Sequence, residues 1–183
     1  MTGSTIDSWA AIVRAVAGSK LAIKSRSLGD ESTRAVMRDA FAARGIDPSR
    51  LILPGGGDLG NYFSFFAEID ISLDTFPFAG GTTTCHTLWM GVPVVTRVGA
   101  TSVSRVAASV LTNVGLADLI AQTPEELVAI SGELAANTDR LRQLRRDLRA
   151  MMKSSPLCDA AAFVRDLESA YCQMWREYCH ADA

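Results

Sequence analysis

The sequence has few of the residues that build metal and disulfide sites. Its four cysteines, Cys85, Cys158, Cys172 and Cys179, include no Cys-x-x-Cys pair, and its only histidines are His86 and His180. A zinc site and a disulfide framework are therefore not expected, and reduced thiols in a cytoplasmic protein are. No apolar run approaches the roughly 18 residues of a membrane span. The amino-terminal MTGSTIDSW lacks a basic segment followed by an apolar one, so neither a membrane anchor nor export is expected. An excess of one charge is missing too. With 18 basic and 20 acidic residues the net charge is −2, which gives no general attraction to nucleic acid. No G-x-G-x-x-G follows a predicted strand, which argues against a nucleotide-dependent oxidoreductase, and no tetratricopeptide-like self-similarity argues for a repeat array.

What remains is ordinary globular composition. The 183 residues, 48% hydrophobic and 21% charged, suffice for one domain with a sizeable core. Ser4 or Thr5 is placed to cap a first helix carrying Ile6, Trp9, Ile12, Val13 and Val16, ending near Gly18. A short strand at Lys20 to Ser25 follows, then an amphipathic helix from Asp30 to Ala43 with Val36, Met37, Ala40 and Phe41 inward, and a strand at Leu51 to Leu53. Helix, strand, helix, strand favours a parallel sheet with helices on both faces. The Pro54 to Gly57 loop reads equally as a ligand approach or as a flexible turn. The next helix, Asp58 to Ala67, carries Tyr62, Phe63, Phe65 and Phe66, most of them expected in the core, with Tyr62 the one open to the sheet edge.

The chain is organised around IDISLDTFPFAGGTTTCHTLWMGVPVVT, Ile69 to Thr96. A buried strand ends in a carboxylate, Asp74. A loop with Pro77, Gly80 and Gly81 leads through three threonines into a helix, and a second buried strand runs from Val92 to Thr96. Such a unit presents bare backbone N–H groups at the positive end of a helix, outside the carboxyl end of a strand, where phosphate-bearing ligands bind in α/β sheets. Thr82 and Thr83 are small donors suited to a diphosphate, and Thr84 suits a cap. Asp70 and Asp74 stand at opposite ends of the strand, too far apart to share a water, so Asp74 is expected to organise the loop. Cys85 is turned away from its neighbours and reads as a small buried residue.

Gly99 to Thr101 forms a second small-residue loop on the same sheet edge, followed by Arg105, for which a structural role is favoured over a phosphate contact. Leu116 to Ala121 fits a last short strand or turn. Thr123-Pro-Glu-Glu126 starts a helix running to about Ala136. Another, Asp139 to Lys153, has an apolar seam of Leu141, Leu144, Leu148 and Met151, with Arg142, Arg145, Arg146, Arg149 and Lys153 outward as a solvated face. Ser155-Pro156 breaks it. The final helix, from Asp159, carries a broad face of Phe163, Leu167, Tyr171, Met174, Trp175 and Tyr178.

DISLDTFPFAGGTTTCHTLWMGVPVVT, followed in order by SRVAAS, GLADLIA, LRQLRRDLR, SSPLCD and LESAYCQMWREY, resembles the C-terminal lobe of the protein O-GlcNAc transferase family, including bacterial tetratricopeptide-repeat members and SPINDLY-like glycosyltransferases. The resemblance covers nearly the whole chain. It implies the C-terminal half of a GT-B fold: residues 1–155 as a Rossmann-like nucleotide-sugar-binding lobe, incomplete at its N-terminus and lacking its first strand, and 156–183 as a crossing helix that packs on the same or a partner domain. It also implies that Gly80, Gly81, Thr82 and Thr83 hold the diphosphate of a UDP-sugar. His86 stands where the family often has a ribose-binding carboxylate, and Tyr62 where it commonly has a histidine near the nucleotide. The family's diphosphate lysine falls immediately upstream of Met1.

The expected function is that of the UDP-sugar-binding lobe of an inverting, metal-independent protein O-glycosyltransferase, inactive as an isolated chain. No catalytic residue, metal or cofactor is assigned; the UDP-sugar is a substrate. The expected partners are a missing N-terminal lobe or a second copy of the chain, and a protein acceptor for the complete enzyme. The alternative is a non-catalytic, degenerate interaction module that dimerises or docks through its last helix.

Overall fold

A computed structural model describes residues 1–181. Its elements, in order, are α1 (Gly3–Ala15), β1 (Leu21–Ala22), α2 (Glu31–Ala42), β2 (Leu51–Ile52), α3 (Leu59–Ser64), β3 (Ser72–Leu73), α4 (Thr82–Trp89), β4 (Val94–Arg97), α5 (Val106–Val114), β5 (Ile120–Ala121), α6 (Pro124–Ala136), α7 (Thr138–Ser154) and α8 (Ala160–Ala181). The alternation is α/β, as expected, and every strand pair is parallel. Among the described residues the strands form two separate sheets, β1-β2 and β3-β4-β5.

The two sheets differ in how well they are covered. In β4, at the centre of the three-stranded sheet, the successive residues Val94, Val95 and Thr96 are all buried. Side chains alternate faces along a strand, so burial of three in a row means that helices cover both faces. α6 packs against β4 and β5 and supports α1, while α4 and α5 also pack on β4 and α7 lies behind α4. The core gathers Trp9, Val13, Leu88, Leu111, Leu134 and Leu148 from these helices. The β1-β2 pair is thinner: Leu21 is buried, Leu51 half-buried and Ile52 exposed.

Most helix starts follow the sequence. Asp30 caps α2 and Thr123 caps α6, with Pro124 in its first turn. The cap of α1 is Thr2, two or three residues ahead of the expected Ser4 or Thr5, and it accepts the Thr5 N–H, so Thr5 lies inside the first turn. Val36, expected inward, is exposed; α2 packs on α1 and on the short segments 26–29 and 48–50, so its buried stripe reduces to Phe41 with Met37 and Ala40 half-buried. The aromatics around α3 also leave the expected core. Only Phe66 is buried, while Tyr62, Phe63 and Phe65 are half-buried. On α7, Arg145 and Arg149 are exposed, as expected, but they also bond to the body. Arg145 donates to the carbonyls of Phe66, Ala67 and Ile69, and Arg149 to that of Trp89, so two of the five cations fasten the segment after α3 and the end of α4.

α8 leaves the body after Asp159, whose Oδ1 accepts the Ala162 N–H at 2.8 Å. Its Phe163, Leu167, Tyr171, Met174, Trp175 and Tyr178 are all exposed. No helix among the described residues is long and apolar enough to cross a membrane.

Candidate functional site

The loop from Thr75 to Gly81 leaves β3 and delivers the chain to the start of α4. Its shape is set by Asp74. The Asp74 Oδ1 accepts the N–H groups of Thr75 at 2.9 Å and Gly80 at 2.8 Å, and its Oδ2 accepts the Thr96 hydroxyl of neighbouring β4 at 2.7 Å. Burial pushes the Asp74 carboxyl above its usual range, and the bonds from Thr96, Gly80 and Thr75 offset this only in part. At Gly80 no side chain fits. A Cβ there would lie 2.7 Å from Thr84 Oγ1 and 3.3 Å from Asp74 Oδ1.

Two ties hold the loop from outside. Thr2 and Thr5 of α1 donate their hydroxyls to the Phe76 carbonyl at 2.8 and 2.7 Å. The Ala79 N–H donates to Val103 O at 3.1 Å, joining the loop to the segment before α5. That second small-residue loop spends its own polar groups internally: Thr101 and Ser104 form a capping box, and Arg105 donates to Gly99 O at 3.1 Å. Arg105 is thus structural, through a carbonyl. The Pro54–Gly57 loop packs its glycines against Arg26–Gly29 and Asn61.

α4 opens at Gly81 without any side-chain cap. The N–H groups of its first turn, which have no partner inside the helix, remain for an anion, favoured there by the helix dipole. Thr82 and Thr83 are exposed at this end. Thr84 does not cap as expected; it is buried and donates its hydroxyl back to Gly80 O at 2.9 Å, while Thr87 donates to Thr83 O at 2.7 Å. A cavity of about 360 Å³ is lined by Asp74, Gly80, Gly81, Thr83, Thr84 and Thr87, with Ser72, Leu73, Phe78 and Val94 among its other walls.

Tyr62 and His86 meet at the side of this site. The Tyr62 hydroxyl lies 3.3 Å from His86 Nδ1, and the rings are 5.8 Å apart edge to face, with Phe63 5.2 Å from His86. Burial pushes the Tyr62 phenol up, offset in part by the neighbouring Thr83 side chain. The structure therefore gathers Tyr62, Thr83 and His86 into one cluster and Gly80, Gly81 and Thr83 into one cavity, and leaves Thr82 at the exposed helix tip. One expected donor is lost: the Gly80 N–H belongs to Asp74 and not to a ligand. Thr96 was missed because nothing in its own strand marks a hydroxyl that faces Asp74 across a parallel pair.

The remaining candidates fall outside the site. Asp70 is exposed, and Cys85 is half-buried, its thiol pushed up by burial with the Cys158 thiol adding to it. Lys24, in the segment after β1, is no candidate: it donates to the Asn61 backbone O at 2.8 Å and lies over the Phe65 ring. Among the described residues no group of three His, Cys, Asp or Glu side chains is placed to hold a metal ion.

The family model of glycosyl transferase family 41 matches residues 1–167. The chain is 42% identical over 184 residues to the probable UDP-N-acetylglucosamine–peptide N-acetylglucosaminyltransferase SPINDLY of Oryza sativa subsp. japonica, an alignment covering 100% of this chain and 20% of that protein. It is 32% identical over 176 residues to the UDP-N-acetylglucosamine–peptide N-acetylglucosaminyltransferase of Caenorhabditis elegans, covering 96% of this chain and 15% of that one. A solved structure of a mutant Thermobaculum terrenum O-GlcNAc transferase superposes with a TM-score of 0.90 at 35% identity, over 97% of this chain and 34% of the other. The chain thus spans about a fifth of the length of the plant relatives it matches.

Proposed function

The chain belongs to glycosyl transferase family 41, and from that premise we propose that it is the UDP-sugar-binding lobe of a protein O-glycosyltransferase of the O-GlcNAc transferase kind. The observation that carries this reading is the uncapped start of α4 beside a cavity walled by Gly80, Gly81 and Thr83. There the leaving diphosphate meets helix N–H groups and threonine hydroxyls. Donors fixed in place before charge develops stabilise a leaving group without reorganisation, which suits inverting, metal-independent transfer. Tyr62 and His86, already in contact, lie where the nucleoside extends from Thr83.

In this reading residues 1–155 form the binding lobe and 156–183 cross to the remainder of the enzyme, which supplies the protein acceptor's surface and any general base. The 183-residue chain binds donor and transfers no sugar by itself. A cytoplasmic location follows the same reading. Titration calorimetry with UDP tests it: millimolar or tighter binding to the wild-type chain, lost on combined Thr82→Ala and Thr83→Ala substitution, is the expected result. No heat at millimolar UDP would sink it. The exposed apolar face of α8 favours a second reading, a non-catalytic module that dimerises or docks through this helix. That reading gains if UDP fails to bind while sedimentation shows self-association that Trp175→Asp abolishes.

A further inference from the structure

No cation pairs with the Asp74 carboxyl. The five ion pairs among the described residues all lie elsewhere. The charged and titratable groups on the surrounding elements are the Met1 ammonium and Asp7 at the start of α1, Tyr62 on α3, Asp70 ahead of β3, Cys85 and His86 on α4, Arg97 on β4 and Arg105 before α5. None of them bonds to Asp74. The Arg97 guanidinium lies 3.6 Å over the Phe76 ring, and Arg105 is held by Gly99 O.

The two carboxylate oxygens divide their tasks. Oδ1 takes both loop N–H groups, from Thr75 and Gly80, and Oδ2 takes only the Thr96 hydroxyl. A neutral side-chain amide would meet the same demands. Its oxygen accepts the two N–H groups, and its NH₂ donates to Thr96, whose hydroxyl can rotate to accept. The loop's shape therefore requires an acceptor at Oδ1 and does not require the charge.

That charge nevertheless stands in the wall of the cavity that also holds Gly81 and Thr83. Asp74 Oδ1 bonds the Gly80 N–H at 2.8 Å, and Gly80 is one residue, about 3.8 Å, before the Gly81 at which α4 opens, so the carboxylate and an anion at the start of α4 are separated by on the order of 10 Å. This is about one screening length at ordinary ionic strength, and the half-buried path between them screens less than water does. Burial already drives this carboxyl toward its protonated form, and an anion beside it acts in the same direction.

Resting on the nucleotide-sugar reading above, we propose that Asp74 is a positioning residue with two separable parts: Oδ1 sets the loop that feeds α4, and the unanswered charge opposes the bound diphosphate, which is therefore held together with a proton taken up at Asp74. The proton comes from the buffer, and no bond of the ligand changes.

The test is calorimetric titration of the whole chain with UDP-N-acetylglucosamine, whose diphosphate has no titrating hydroxyl in the neutral range. Each titration is repeated in two buffers of different ionisation enthalpy, which counts protons. Wild-type protein should take up a fraction of a proton on binding and bind more tightly as pH falls. Asp74→Asn should take up less and bind about three- to tenfold more tightly at neutral pH, the gap closing in acid. Asp74→Ala, which lacks the Oδ1 acceptor, should bind about tenfold more weakly. Equal proton uptake by wild type and Asp74→Asn, or weaker binding by Asp74→Asn at every pH, would overturn the proposal. If the wild-type chain binds neither this donor nor inorganic pyrophosphate, the nucleotide-sugar reading fails and the charge coupling fails with it. The positioning part is then still decided by hydrogen exchange at the Gly80 amide, expected to be slow in wild type and Asp74→Asn and fast in Asp74→Ala; equal rates in all three would refute that part too.

Discussion

The loop between β3 and α4 and the helix α8 are opposite solutions to the same chain's chemistry. In the loop, polar groups that water would otherwise solvate are consumed by neighbours: Asp74 by Thr75, Gly80 and Thr96, and the Phe76 carbonyl by Thr2 and Thr5. In α8, Phe163, Tyr171, Trp175 and Tyr178 are each at least 60% exposed and cover nothing in the described chain. The difference separates what the body determines for itself from what it presents. A loop fixed by hydrogen bonds from α1, β4 and α4 keeps its shape whatever binds. An apolar helical face of this breadth gains its energy only when covered.

This contrast can be broken by substitution. The largest effect is expected directly behind the loop: Leu88, fully buried on α4, should cost about 2–5 kcal/mol on truncation to alanine, seen as a large fall in denaturation midpoint. Next comes Gly80→Ala. The added methyl meets Thr84 Oγ1 and Asp74 Oδ1, so a loss of about 1–3 kcal/mol is expected, together with weaker UDP binding in the same preparation. The smallest effect belongs to α8. Trp175→Ala should change the stability of the monomer by no more than about 0.5 kcal/mol, measured at low concentration by chemical denaturation. A larger loss for Trp175→Ala than for Gly80→Ala would erase the distinction between the two regions.

The sequence was legible where the signal is local. Asp30, Thr123 with Pro124, and the threonines of α4 announce helix starts within four residues, and these helices stand where expected. The run from Val92 to Thr96 reads as a buried strand, and β4, Val94 to Arg97, occupies most of it with Val94, Val95 and Thr96 buried. Asp74 was legible as the organiser of its loop, since a carboxylate ending a strand before a glycine turn has few other partners. The illegible parts depend on what lies across the fold. Val36 has the spacing of a core residue, but α2 has only a narrow surface to cover. Arg145 and Arg149 stand outward as expected, but no spacing reports the carbonyls that the segment after α3 and the end of α4 bring to them. The Gly80 N–H looked available to a phosphate because its bond to Asp74 spans six residues of irregular loop. The meeting of Tyr62 with His86 joins residues 24 apart, and no spacing rule reports it.

The central claim is that an anion-bearing nucleotide is held at the start of α4, and amide-resolved NMR titration with UDP tests it most directly. The account predicts saturable shifts concentrated at Gly81, Thr82, Thr83 and His86 and in the Tyr62 ring, with the amides of α8 unmoved. Shifts confined to α8 or to the outer face of α7, or none at millimolar UDP, would contradict it.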